Sequence, residues 1–140
     1  HPAKIERIWL DEQGRDVIQF KHEGMFIDYR QVQITAAPGL VLQAVQRRLI
    51  EKPIRIGLWN SFRIELLNEA CLRLCVTQPI PGDAWLEWKV LPYAQGTLLE
   101  QTAFFAPKGL PGFLSWYLLN PFFRRGLAKI LKEVALISIP

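Results

Sequence analysis

The stretch from Pro107 to Leu136 limits the fold of this chain more than any other, because it is long, helical in its spacing and interrupted by a proline. It reads PKGLPGFLSWYLLNPFFRRGLAKILKEVAL. Leu110, Phe113, Leu114, Tyr117 and Leu118 repeat at helical intervals in its first half, and Leu127, Ile130, Leu131 and Val134 do so in its second. At about 100° per residue the two sets centre roughly 120° apart. Pro121 stands between them, where a missing N–H and a ring clash disturb the ladder. The expectation is a long terminal helix, kinked or broken at Pro121, against which the rest of the chain packs.

The preceding segments supply the packing surface. Ile5, Ile8 and Trp9 mark a short strand before the polar turn Asp11-Glu12-Gln13-Gly14, and Met25 to Ile34 forms the first strand of the domain proper. Pro38, following Thr35 with its cap-forming hydroxyl, opens a helix whose apolar face holds Leu40, Val41, Ala44, Val45 and Leu49. Strands over Trp59 to Leu67 and Ala70 to Gln78 alternate dry and wet faces, and Asn68-Glu69 joins them as an antiparallel hairpin. A second hairpin pairs the strand from Ala84 to Val90 with Thr97 to Phe105, around the turn Tyr93-Ala94-Gln95-Gly96. This order is α+β: one curved antiparallel sheet holding a long C-terminal helix.

A length of 140 residues is that of one domain, able to bury on the order of 70% of its unfolded surface. The +4 charge is spread over two clusters, Arg47, Arg48 and Lys52, and Arg124, Arg125, Lys129 and Lys132. These read as solvated helix faces, and no nucleic-acid motif accompanies them. The nearly uncharged run from Gly109 to Phe123 is shorter than the roughly 20 residues a bilayer requires, so it reads as a buried helix and not a membrane span. Cys71 and Cys75, four apart on one strand, sit about 13 Å from each other and cannot be bridged. Two free thiols point to a reducing, cytoplasmic setting.

Chemistry is sparse. The nine glycines never take a G-x-G-x-x-G or P-loop spacing, and neither His1 nor His22 has a partner set for acid–base or metal work. No serine lies in a nucleophile elbow. No catalytic, cofactor or metal site emerges. What remains is rings and paired charges. Arg63, Glu65, Arg73 and Glu87 lie on polar strand faces, as an exposed ladder or as groups orienting a ligand. Trp85, Trp88, Phe104, Trp116 and Tyr117 are core, or the wall of a cavity between sheet and helix. Arg73, Glu87 and these five rings form the candidate ligand-binding set.

PGDAWLEW at Pro81 to Trp88 and FFAPKGLPGFLSWYLLNP at Phe104 to Pro121 resemble a bacterial domain of unknown function that follows an NmrA-like, atypical short-chain dehydrogenase NAD(P)-binding domain. EGMFIDYRQVQITAAP at Glu23 to Pro38 is similar to that family's first strand and helix start. The family belongs to the START-like (SRPBCC, helix-grip) superfamily. The resemblance implies a bent sheet gripping the last helix, a hydrophobic cavity between them, and a preceding Rossmann domain whose tail would be residues 1–22, leaving 23–140 as the START-like domain. The family's usual His after the Pro-Phe of the last helix is Phe123 here, and the stretch between the first helix and Trp59 is shorter than in relatives.

Three functions compete. The first is a module binding a hydrophobic or aromatic small molecule beside an NAD(P)-binding partner domain. The second is an interaction domain docking that Rossmann domain or a second subunit. The third is a cyclase- or dehydratase-type enzyme using Glu87 or Arg73 with Tyr117.

Overall fold

The computed structural model describes residues 4–10 and 16–138, with side chains from residue 17 onward. The turn expected at Asp11 to Gly14, and His1, lie outside the described residues. Seven strands, β1 (Lys4–Leu10), β2 (Asp16–His22), β3 (Met25–Ile34), β4 (Phe62–Leu67), β5 (Cys71–Val76), β6 (Gly82–Tyr93) and β7 (Gly96–Pro107), form one antiparallel sheet in the order β1-β2-β3-β7-β6-β5-β4. Helix α1 (Pro38–Glu51) joins β3 to β4, and α2 (Gly109–Ser138) follows β7. This is the helix-grip arrangement.

Most elements fall where periodicity places them, and β3 matches its expected bounds. Three do not match in detail: β4 opens at Phe62 and not at Trp59, which pairs outside it with Ile56, and the other two are β2 and α1. Strand β2 was not foreseen, although Val17, Gln19 and Lys21 alternate with Ile18 and Phe20, and it pairs with β3 from Val17↔Arg30 to His22↔Met25. Helix α1 begins at Pro38 as expected, but Ala37 is its N-cap and no side chain bonds there, while Leu40 is exposed. The Thr35 hydroxyl makes no cap because it lies three residues ahead of the first helical turn.

The core lies on one face of the sheet. Alternation turns Phe26, Ala84, Leu86, Trp88, Leu99 and Phe105 toward the helices, where they meet Val41, Val45, Trp116, Phe123, Leu127, Leu131 and Val134. Helix α2 is not broken at Pro121; it continues for 30 residues through the proline. Its core-facing side is Gly112, Trp116, Asn120, Phe123, Leu127, Ile130, Leu131, Val134 and Ser138, one continuous stripe. The second apolar set of the sequence therefore faces the core; of the first, only Phe113 and Tyr117 touch it, at Phe26. Leu110, Leu114, Leu118 and Phe122 are exposed, so the expectation of a buried helix over 109–123 is corrected. One helix without a break presents a single face to the sheet, and the ~120° offset leaves the other set outward.

Glycines let α2 come close. A methyl at Gly112 would run into the Pro81 carbonyl, and one at Gly126 would sit 2.8 Å from the Arg55 carbonyl. The far end of α2 is fixed to α1 by charge: Glu133 accepts from Arg48 Nε at 3.0 Å and Lys52 Nζ at 2.7 Å.

Candidate functional site

The helix-facing side of β2, β3 and β7 carries a polar strip that the sequence reading did not single out. Inward slots of three neighbouring strands hold Gln19, Asp28, Arg30 and Gln101, and α2 adds Asn120 from above. Asp28 and Arg30 are each 1% exposed. Arg30 Nε donates to Asp28 Oδ1 at 2.8 Å and Nη2 to Oδ2 at 3.1 Å. A two-pronged contact of this kind is needed to offset removing both charges from water. Gln19 Nε2 donates to Asp28 Oδ2 at 2.8 Å and to Asn120 Oδ1 at 3.3 Å, and Asn120 Nδ2 donates back to Gln19 Oε1 at 3.2 Å. Beside it, Trp88 Nε1 donates to Gln101 Oε1 at 2.9 Å, and Gln101 Nε2 reaches the Leu127 carbonyl at 2.9 Å. The strip spends its hydrogen bonds internally, so it ties sheet to helix. The signal for it was a run of polar residues at alternate positions of a β-rich segment.

The seven candidate residues fall into separate places. Trp88 and Trp116 are core: Trp116 stacks on Phe26 with centroids 5.2 Å apart and on Phe123 at 5.6 Å. Tyr117 lies half-exposed on α2, edge-on to Phe26 at 5.5 Å. Trp85, Phe104, Arg73 and Glu87 come together on the opposite, outer face of the sheet. There Trp85 pairs with Phe104 and Arg73 with Glu87 across strands, and the Arg73 guanidinium lies 5.7 Å from each ring centroid. Arg73 Nε is 3.3 Å from Glu65, Nη1 is 3.8 Å from Glu87, and Lys89 Nζ is 3.4 Å from Glu87. This is the expected cross-strand ladder for Glu65, Arg73 and Glu87, with Lys89 added, while Arg63 lines a groove between α1 and β4. Because the sheet separates it from Tyr117, the trio Glu87, Arg73 and Tyr117 does not share one site.

Cys71 and Cys75 are free thiols, as their strand spacing requires. They are buried on the outer face, contrary to the wet side expected there, and only Arg73 between them is partly exposed; the ladder side chains and Trp85 cover the cysteines. Burial pushes the Cys71 thiol up, and Glu87 adds to this against the opposing pull of Lys89 and Arg73.

An open groove lies at the other end of the sheet. Gln46, Leu49 and Ile50 of α1, with Ile54, form one wall, and Phe62, Arg63, Ile64 and Leu67 of β4 form the other. Leu72 and Leu74 of β5 make the floor, and the enclosed volume is about 230 Å³. Ile50 is 84% and Ile64 60% exposed. The dry face expected for β4 is therefore uncovered: β4 is an edge strand, and α1 does not reach over it. A second hollow of about 340 Å³ lies at the β6–β7 turn, between Gln33–Thr35 and Tyr93–Thr97, with a lining that is as polar as it is apolar. Among the described residues no cluster of three or more His, Cys, Asp or Glu side chains gathers to hold a metal ion. No helix among them is long and apolar enough to cross a membrane.

No known family profile matches the chain, and no curated protein matches it in sequence. Solved structures do match in fold. The di-domain ARO/CYC protein StfQ from the steffimycin biosynthetic pathway superposes with a TM-score of 0.60 at 9% identity, over 81% of this chain and 50% of that one. Ara h 8.0201 gives 0.59 at 13% identity, over 83% and 99%. The STAR-related lipid transfer protein from Xanthomonas axonopodis gives 0.55 at 13% identity, over 96% and 98%. At these identities the likeness is one of fold: an antiparallel sheet holding a long C-terminal helix, shared with START-like proteins.

Proposed function

We propose that the chain is a START-like module that holds a small apolar molecule in the groove between α1 and the β4–β5 edge. The observation that carries this is the exposure of Ile50, Ile64 and Leu67 around an apolar floor of Leu72 and Leu74. Apolar side chains lining a concavity gain by being covered, at about 25 cal/mol per Å² removed from water. Arg63 and Gln46 at the rim are placed to meet a polar end group. At about 230 Å³ the groove suits a compact ring system or one segment of an acyl chain. The fold it shares with a lipid transfer protein supports the reading by analogy.

The preceding NAD(P)-binding domain belongs to the same proposal. Its support is the resemblance over residues 23–131, and any oxidoreductase chemistry would reside there. The free thiols of Cys71 and Cys75 support a cytoplasmic setting.

Native mass spectrometry of protein from its source cells, before and after denaturation, tests the ligand. An added mass that is lost on denaturation is expected, together with displacement of bound anilinonaphthalene sulfonate by that compound. Ile64→Glu, at an exposed rim position, should weaken the dye about tenfold or more without lowering the melting temperature. Dye binding unchanged in Ile64→Glu, with no added mass on the wild type, would overturn the groove as the site.

A further inference from the structure

Helix α2 exposes apolar side chains that its packing does not require. Leu110, Leu114, Leu118 and Phe122 recur at helical spacing on the side away from the core stripe, and Leu118 is 72% exposed; Phe113 and Tyr117 flank them and rest against Phe26. Scattered exposed leucines are ordinary, but a contiguous stripe over three turns is not.

The charged residues that α2 itself carries before Glu133 are all basic. Lys108 precedes the helix and is exposed, and Lys21 stands 5.0 Å from the Phe113 ring centroid. Beyond Phe122 the same outward side continues as Arg125, Lys129 and Lys132, all exposed. The first acidic residue of α2 is Glu133, and Arg48 and Lys52 already neutralise it. The outward side of α2 is thus apolar for its first half and cationic for its second. From Leu118 to Lys129 the helix rises about 16 Å. A helix docked obliquely would sink its apolar half toward acyl chains and leave the cations at phosphate level.

We infer that α2 docks this protein onto an anionic lipid surface, with Leu114, Leu118 and Phe122 inserted and Arg125, Lys129 and Lys132 on the headgroups. A second copy of the chain fits less well, because pairing two such faces also brings two clusters of like charge together. The inference is independent of the groove: α2 docks whether or not that groove holds a ligand.

Co-sedimentation of the 140-residue protein with vesicles tests it. Binding is expected to phosphatidylcholine vesicles containing about one-third phosphatidylserine, and at least about tenfold less to phosphatidylcholine alone. High salt should weaken it. Leu118→Asp and, separately, the pair Arg125→Glu and Lys129→Glu should each reduce binding about tenfold or more, with circular dichroism and melting temperature unchanged. Absence of binding to the anionic vesicles would overturn the inference, as would folded variants that bind as well as the wild type. So would a dimer in solution that Leu118→Asp dissociates and that fails to bind vesicles, since the stripe would then be a subunit interface.

Discussion

At the scale of single residues, Asp28 and Arg30 are the most exacting positions. Their charges are fully buried and paired with each other, with Gln19 also donating to Asp28, so deleting one strands the other. Asp28→Ala should destabilise the protein by about 3 to 5 kcal/mol, read from urea unfolding, whereas Asp28→Leu combined with Arg30→Met should recover most of the loss. An equal cost for the single and double variants would show that the pair is not an isolated buried couple. These residues were visible in the sequence only as polar members of a β-rich run. Strand periodicity puts Asp28 and Arg30 on one face together, but it does not say that this face is the dry one. That is decided by α2, whose Asn120 reaches Gln19 across about a hundred residues of chain. Arg73 and Glu87 show the converse. Their pairing across β5 and β6 follows from register, while the face they occupy follows from which side the helices cover.

At the scale of elements, the clamp between the two helices gives a pH-dependent stability. The hydrogen bond from Lys52 holds the Glu133 carboxyl below its ordinary range, and the Arg48 and Lys52 charges reinforce this against partial burial. A carboxyl with a lowered folded pKa stabilises the fold above its unfolded value, and the contribution is lost as pH falls through the folded value. Unfolding free energy should therefore decline as pH drops below about 5, and Glu133→Gln should flatten that decline. Glu51→Gln, in the exposed pair with Arg47, should change it far less. If Glu133→Gln leaves the acid limb unchanged, another carboxylate controls it. Elements were otherwise well marked in the sequence. Strand β4 keeps Phe62 and Ile64 on the side of Leu72 and Leu74, but a register shift between Ile64 and Leu66 sets Leu66 opposite Arg73 and Leu67 opposite Leu72, and the edge position leaves the apolar side uncovered.

For the whole molecule, the decisive contact is α2 on the sheet. Trp116 joins Phe26, Phe105 and Phe123 in one ring cluster that spans β3, β7 and α2. Trp116→Ala should cost about 3 to 5 kcal/mol and lower the cooperativity of thermal unfolding, as measured by calorimetry. A loss below about 1 kcal/mol would mean that the cluster collapses around the gap. It should leave dye binding in the α1–β4 groove intact wherever the variant is folded, because the ring lines the core and not the groove. The sequence by itself determined β1 and the strands from β3 onward, both helices, the two hairpins and the α+β class, because side-chain periodicity and turn residues are local. It also carried the resemblance to START-like domains, in motifs that lie on β3, β6, β7 and α2. Only the tertiary structure decided which stripe of α2 is buried, that Pro121 leaves the helix whole, and that the seven candidate residues divide between the core, the helix surface and the outer face. Those outcomes depend on which surfaces remove the most apolar area from water together, a property of pairs of elements distant in sequence.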